Sequence, residues 1–293
     1  MRRYEVEAPA KINLTLHVLG RRPDGFHDIA SLFVPLDLAD TLEVRVGGDA
    51  VAVRVPGHPE LEGDDNLCAK AARAFAARTG LPGGVEVTLH KRVPFAAGLG
   101  GGSSDAAAVL RCLAAAHDLS PGDTRVQAAA LDVGSDVPFF LRCVPAIARG
   151  RGEILAPAPR LPPLWLAIVK PPFGVSAAEA YRALARLRAE GTLPGGCEPA
   201  LPESLPDAAA VVRLLHNDLE PAVARLYPIQ GVKERFSASG ARGALMSGSG
   251  SCVFALFDSA PERDDCSKSI RILPGEGLFA CGTLQRAPAL RET

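Results

Sequence analysis

Hydrophobic and polar positions alternate along several stretches of the chain. From Lys11 to Val18, the residues Ile12, Leu14, Leu16 and Val18 alternate with Lys11, Asn13, Thr15 and His17. That is the period of a β-strand with one apolar face. The other face gathers a lysine, an amide, a hydroxyl and an imidazole, and for an arbitrary strand such a face is solvated. Leu42, Val44 and Val46 alternate likewise, as do Val85, Val87 and Leu89. Asp65 to Arg78 is alanine-rich, opens on an acid and is followed by Gly80, which predicts a helix capped at both ends. Pro157 to Pro163 crowds prolines that stop helices and strands alike. It predicts a linker and hence two domains, 1–156 and 157–293. Beyond it, Leu164 to Val169 and Cys252 to Phe257 are short apolar runs suited to buried strands. Ser176 and Glu179 have the spacing of a capping box, for a helix reaching about Ala189 with Tyr181 in its first turns. Asn217 or Asp218 is placed to cap a helix through Leu226. Strands and helices mix without strict βαβ alternation, which points to an α+β fold class.

Composition narrows the function. With 47% hydrophobic and 22% charged residues the chain can bury a core, and wholesale disorder is excluded. A net charge of -1, from 32 basic and 33 acidic residues, argues against a nucleic-acid partner. No apolar run approaches the roughly 18 residues that span a bilayer, and the first residues lack the apolar stretch of a secretory signal. The expectation is a cytoplasmic protein without a membrane partner. Seven cysteines, an odd number without CxxC spacing, read as buried, reduced thiols rather than zinc ligands. No lysine follows a glycine, so the Walker A loop is missing, as are HExxH and GxSxG.

Three segments carry chemistry. The first is Pro94 to Ala108, PFAAGLGGGSSDAAA. A strand ending near Val93 enters a loop with Gly98, Gly100, Gly101 and Gly102; Ser103, Ser104 and Asp105 follow, and then a helix. Glycines let backbone N–H groups converge, and a helix start adds free N–H groups and a positive dipole end. A phosphate chain is the natural occupant. A plain strand-to-helix turn with Ser104 as cap would need fewer glycines, and GxGxxG fails because residue 103 is serine. The second is Gly134-Ser135-Asp136-Val137-Pro138-Phe139-Phe140, where one carboxylate stands on a polar shoulder before an apolar segment, a setting that suits a general base. The third is Met246 to Ser251, MSGSGS, whose small residues permit close approach to a ligand or another loop.

In their order along the chain, Pro9-Ala10-Lys11-Ile12-Asn13, the glycine-serine loop, Ser135-Asp136-Val137-Pro138-Phe139-Phe140 and Ser247-Gly248-Ser249-Gly250-Ser251 resemble the GHMP kinases. More narrowly, they look like the branch that phosphorylates a cytidyl-bearing polyol in isoprenoid precursor synthesis. Arg22-Pro23-Asp24-Gly25-Phe26-His27, the triple glycine, Asp64-Asp65-Asn66-Leu67, Gly150-Arg151-Gly152-Glu153 and Asn217-Asp218-Leu219-Glu220 narrow it. The resemblance implies a two-domain GHMP kinase fold, with an N-terminal ribosomal-protein-S5-like nucleotide-binding domain and a C-terminal ferredoxin-like α/β sandwich domain. It implies ATP and Mg2+ as cofactors, a small-molecule cytidyl substrate, and a monomer or homodimer. It makes Asp136 the base that takes a hydroxyl proton and Lys11 its cationic partner. It puts Pro94, Ala97, Gly98, Leu99, Gly100, Gly101, Gly102, Ser103 and Ser104 around the ATP phosphates, with a serine hydroxyl on Mg2+. Asn13 would bind the acceptor; Phe26, His27 and Tyr181 the cytosine; Asn66 and Lys91 would flank the nucleotide.

Three positions depart from the pattern. Phe26 replaces a usual Tyr and keeps the stacking face. Ala96 replaces a glycine, which calls for a negative φ there. Ser135 replaces an alanine and adds a hydroxyl able to bond the carboxylate. The Gly25-Phe26-His27 block argues against a homoserine or mevalonate kinase. The presence of both Lys11 and Asp136 argues against a nucleotide-binding protein without turnover. Residues beyond about 258 match weakly and are assigned no activity.

Overall fold

The alternation at Lys11–Val18 is the middle of a much longer strand. In the computed structural model, which describes residues 1–293, β1 (Arg2–Arg21) pairs antiparallel with β2 (His27–Val46) along nearly its whole length, with irregularities at Pro9/Lys11, Asn13/Thr15 and Val18/Gly20. There follow β3 (Val51–Arg54), α1 (Leu67–Thr79), β4 (Val85–His90), α2 (Gly101–Ala116), α3 (Thr124–Val133), α4 (Val137–Arg142), β5 (Ala146–Gly150) and β6 (Ile154–Pro157). After the prolines come β7 (Trp165–Lys170), α5 (Ala177–Ala189), α6 (Ala208–Val212), β8 (His216–Asn217), α7 (Glu220–Val223) and α8 (Gln230–Ala238). The chain ends with β9 (Gly243–Met246), β10 (Val253–Phe257), α9 (Ala260–Ser269), β11 (Gly277–Gly282) and β12 (Arg291–Glu292).

The first sheet runs β12-β1-β2-β4-β3, with β5 and β6 extending from β2 and β8 joining β1; the second runs β11-β7-β10-β9. Most pairs are antiparallel, as expected where βαβ crossovers are missing. Pro157 closes β6, and the proline cluster follows it, ahead of β7, the first strand of the second sheet. Two later segments nevertheless return to the first sheet, β8 beside Thr15–Leu16 and β12 beside Tyr4–Glu5.

The alanine-rich α1, α2 and α3 cover one face of the first sheet, around Phe33, Phe75 and Phe139. On its other face Ile12, Leu14, Leu32 and Val34 meet Leu166, Ile168, Phe254 and Leu256 of the second sheet in a shared apolar layer. Each such side chain contributes about 1.5–3 kcal/mol on full burial. The polar face of β1 is therefore not solvated, contrary to the expectation for an arbitrary strand. Lys11, Asn13, Thr15 and His17 are 4%, 2%, 3% and 9% exposed. A period of two says that the two faces differ, not what covers each.

Local capping also departs from expectation. Asn66, not Asp65, caps α1, its carboxamide oxygen accepting from Cys68 N at 2.8 Å, while Gly80 closes the helix at φ 71°. Ser176 precedes α5 without capping it through its side chain, and Glu179 accepts from Tyr227 Oη at 2.9 Å, so neither arm of the box is made. Asn217 lies in β8, and the helix expected through Leu226 is only the short α7. All seven cysteines are free and all but Cys197 are buried, with burial raising Cys112, Cys143 and Cys252 to about 12. At neutral pH those three are unreactive thiols.

Candidate active site

The phosphate-type loop is shorter than its sequence suggests. Gly100 is the N-cap, at φ 71°, and α2 already begins at Gly101, so Gly101, Gly102, Ser103 and Ser104 form the first turn instead of preceding it. The orphan N–H groups of that turn are carried by residues with little or no side chain. Gly98, at φ 75°, is pressed against the third motif. A Cβ there would sit 2.1 Å from Ser247 O, and Ser247 Oγ donates to Gly98 O at 3.0 Å. Cys252 N donates to Ala97 O at 3.2 Å and Lys11 N to Leu99 O at 2.9 Å. Ala97 and Leu99 themselves point into the shared apolar layer. Ala96 adopts φ 52°, the left-handed conformation that a glycine would take freely, so the expected negative φ is wrong. For an L-residue this costs about 1–2 kcal/mol, held here by the surrounding loop. Pro94, partly exposed, stands between Val93 and Phe95 at the start of the loop.

The second motif meets the loop through Lys11. A Cβ on Gly100 would lie 2.9 Å from Phe140 and 3.2 Å from Lys11 Cγ. Asp136 immediately precedes α4, and its carboxylate, 30% exposed, stands 3.5 Å from Lys11 Nζ. Lys11 Nζ also donates to Asn13 Oδ1 at 2.8 Å and lies 4.4 Å from the centre of the Phe33 ring. Asn13 Nδ2 donates to Ser31 Oγ at 2.8 Å, so both ends of that amide are held. The ammonium is thus aimed by neighbours on β1 and β2, and the carboxylate beside it stays partly exposed.

One cleft borders the loop at Gly102, and another reaches Ser135, next to Asp136. The first, about 310 Å³, borders the loop and is lined by Asn66, Leu67, Lys91, Phe95, Gly102 and Asp105 among others. Two of these have prior engagements. Asn66 caps α1 and donates to Leu61 O, and Lys91 Nζ is buried between Asp40 and Asp105, 2.8 Å from Asp105 Oδ2. Asp40 also accepts from the backbone N–H groups of Arg92 and Val93, so this triad fixes the start of the loop. Burial, with the Asp40 charge added, pushes Asp105 up to about 8 despite Lys91.

The second cleft is about 670 Å³ and is lined by Arg21, Phe26, His27, Ser135, Arg151, Tyr181 and Arg182 among others. His27 and Tyr181 stack on each other with centroids 4.6 Å apart and planes 20° apart. Phe26 is 52% exposed, and the Arg151 guanidinium lies 4.7 Å from its centroid. Burial, then the charges of Arg21 and Arg188, lowers the His27 pKa, favouring neutral imidazole. Burial, then the Asp136 charge, raises that of Tyr181, so its hydroxyl stays protonated.

Every residue singled out from the sequence therefore lies at the loop, at the Lys11–Asp136 pair or along one of the clefts. Arg21, Arg151, Arg182, Asp40 and Asp105 were missed as contributors. Arg151 and Asp105 stood inside quoted motifs, but nothing in the order of residues pairs Asp40 with a lysine so distant in the chain.

Loop, acid and two-sheet fold together define a class of small-molecule kinase. Sequence models of the GHMP kinases N terminal domain and the GHMP kinases C terminal match residues 66–143 and 198–271. A 4-diphosphocytidyl-2-C-methyl-D-erythritol kinase from Anaeromyxobacter sp. (strain Fw109-5) is 43% identical over 98% of this chain and 94% of its own. One from Anaeromyxobacter sp. (strain K) is 47% identical over 85% of this chain and 79% of its own. A crystal structure of a 4-(cytidine 5'-diphospho)-2C-methyl-D-erythritol kinase superposes with a TM-score of 0.75 at 38% identity, covering 95% of this chain and 98% of that one. The chain belongs to the 4-diphosphocytidyl-2-C-methyl-D-erythritol kinase family of GHMP kinases.

Proposed function

We propose that this enzyme transfers the γ-phosphoryl of ATP to the 2-hydroxyl of 4-diphosphocytidyl-2-C-methyl-D-erythritol. The observation that carries the reading is the Lys11–Asp136 pair, set between a glycine loop on one side and an aromatic, arginine-rimmed cleft on the other. Asp136 takes the hydroxyl proton, the alkoxide oxygen bonds to the γ-phosphorus, and the bond to the β–γ bridging oxygen breaks to release ADP. Lys11 lies where negative charge spreads in that transfer, and the segment Gly98 to Ser104, with the free amides that open α2, receives the phosphate chain. Such positioned charges and dipoles supply most of the catalysis of phosphoryl transfer. Asn66 and Lys91 bound the cleft for the purine end. Asn13, buried and fixed by Lys11 and Ser31, serves the acceptor by holding Lys11 in place, and His27, Tyr181 and Phe26 offer faces for its cytosine.

Mg2+ fits the donor set. Ser104 Oγ, in the first turn of α2, is buried without a hydrogen-bond partner, and a hard cation takes oxygen ligands. When bound with ATP, Mg2+ neutralises phosphate charge; Ser104 is the hydroxyl we assign to it. The division at 156/157 into an ATP-binding half and a second domain belongs to the same proposal. No helix is long and apolar enough to cross a membrane, and the seven free cysteines suit a reducing compartment, which supports a cytoplasmic enzyme. The test is ATP consumption with the cytidyl erythritol, mevalonate and homoserine offered in parallel. Turnover of the first alone is expected; preference for either of the others overturns the assignment.

A further inference from the structure

The segment Asn217-Asp218-Leu219-Glu220 lines neither cleft, yet each of its polar side chains is fully engaged. Asn217 is buried and donates both Nδ2 hydrogens, to Met246 O and to Gly248 O, each at 2.8 Å. Its Oδ1 accepts from Leu219 N at 2.9 Å. Glu220 Oε2 accepts from Met246 N at 2.7 Å, and its other oxygen pairs with Lys233. These bonds hold the turn 247–251, whose Ser247 sits on Gly98. Asp218 serves the opposite side. Its Oδ2 accepts from Val18 N at 2.7 Å and from Arg188 Nη2 at 2.8 Å, while Arg188 Nη1 donates to Val18 O at 2.7 Å.

Arg188 follows Tyr181 by about two turns on the same face of α5. Val18 lies near the end of β1, just before the connection that delivers His27. The Asp218–Arg188–Val18 clamp therefore sets how closely α5 approaches β1, and with it the His27–Tyr181 stack. Beside the clamp, His17 and His216 stack at 4.4 Å with planes 9° apart, and His216 Nε2 lies 2.7 Å from Asp218 Oδ1. Asp218 thus ties the stacked pair to the clamp, one carboxylate oxygen on His216 and the other on the guanidinium.

We infer that Asn217-Asp218-Leu219-Glu220 is a two-armed joint of positioning residues. Asn217 and Glu220 set the turn behind the ATP loop, and Asp218, through Arg188, sets the aromatic stack of the acceptor cleft. The inference rests on the reading of the two clefts proposed above. The experiment is steady-state kinetics with each substrate varied separately. Asp218→Ala removes the acceptor for Val18 and Arg188, and raises KM for the cytidyl acceptor by about tenfold while kcat and KM for ATP stay within about twofold. Asn217→Asp, which turns a double donor against two carbonyls, does the reverse and raises KM for ATP. Arg188→Gln and Ser247→Ala repeat the two arms from outside the segment, so a variant that fails to fold does not remove its arm from the test. If the variants move both KM values by the same factor, or move neither, the joint is refuted. Wild-type turnover of the cytidyl acceptor tests the underlying reading on its own.

Discussion

The two ends of the active site are made of different material. At the loop end the surfaces are backbone: Gly98 lies against Ser247 O, Gly100 against Phe140 and Lys11, and α2 begins on glycines. At the cleft end they are side chains, with three arginines, a histidine, a phenylalanine and a tyrosine drawn from separate segments. A backbone site tolerates almost no change of residue, because any Cβ occupies the space that brings the amides together. A side-chain site can lose one contributor and keep its shape. The first should therefore fail abruptly and the second by degrees, with the Lys11–Asp136 pair between them indifferent to which side is altered.

That pair gives the largest expected effect. Asp136→Asn keeps the size of the side chain and removes the proposed base, so kcat should fall on the order of 10²-fold or more while KM for ATP and for the acceptor change little. Unchanged kcat in this variant would take Asp136 out of the chemistry and leave the two ends without a shared centre. Next comes Gly98→Ala. Its methyl would stand 2.1 Å from Ser247 O at a φ of 75°, so the loop must move. A displacement near 1 Å in a positioned site costs up to about 10²-fold, and kcat/KM for ATP should fall accordingly. Binding of CDP, followed by calorimetry, should persist; equal damage to both would erase the distinction between the ends.

Tyr181→Ala probes the tolerant end. Removing an aromatic platform forfeits about 1–3 kcal/mol of base stacking, so KM for the cytidyl acceptor should rise roughly tenfold with KM for ATP unmoved. Tyr181→Phe should stay near wild type, since the face remains. A Phe variant as poor as the Ala variant would assign the effect to the hydroxyl and not to stacking.

The same contrast governs what could be read in the sequence. The loop was legible because its form is written as glycine and serine in one short run, and the α+β class followed from mixed periodicities. The cleft was legible only at Phe26, His27 and Tyr181, through resemblance, whereas its arginines carry no local pattern. Covering layers were illegible altogether. The polar face of β1 gave no sign that it would be buried, because burial depends on helices contributed from elsewhere in the chain. Ala96 took a left-handed φ against its own preference because the loop around it is fixed at Gly98 and Gly100. Ser176 makes no side-chain cap, and the Glu179 carboxylate is engaged by Tyr227 instead of reaching back to it. Each of these outcomes was decided by a residue distant in sequence.

The smallest expected effect concerns the triad beneath the loop. Asp40, Lys91 and Asp105 are buried together, two carboxylates on one ammonium. Asp105, raised to about 8 in the fold against 3.8 as its ordinary value, binds a proton more tightly folded than unfolded. Its contribution to stability is therefore present at acidic pH and declines as pH rises from about 4 to about 8. In Asp105→Asn the amide cannot ionise, so that decline should vanish. The difference in Tm, variant minus wild type, should thus grow more positive between pH 5 and pH 8, by about 2–4 °C for each kcal/mol recovered. A difference that stays constant across that range would mean that Asp105 remains ionised beside Lys91. The triad would then be an ordinary buried ion pair carrying an extra charge, and the loop end would owe its placement to Asp40 alone.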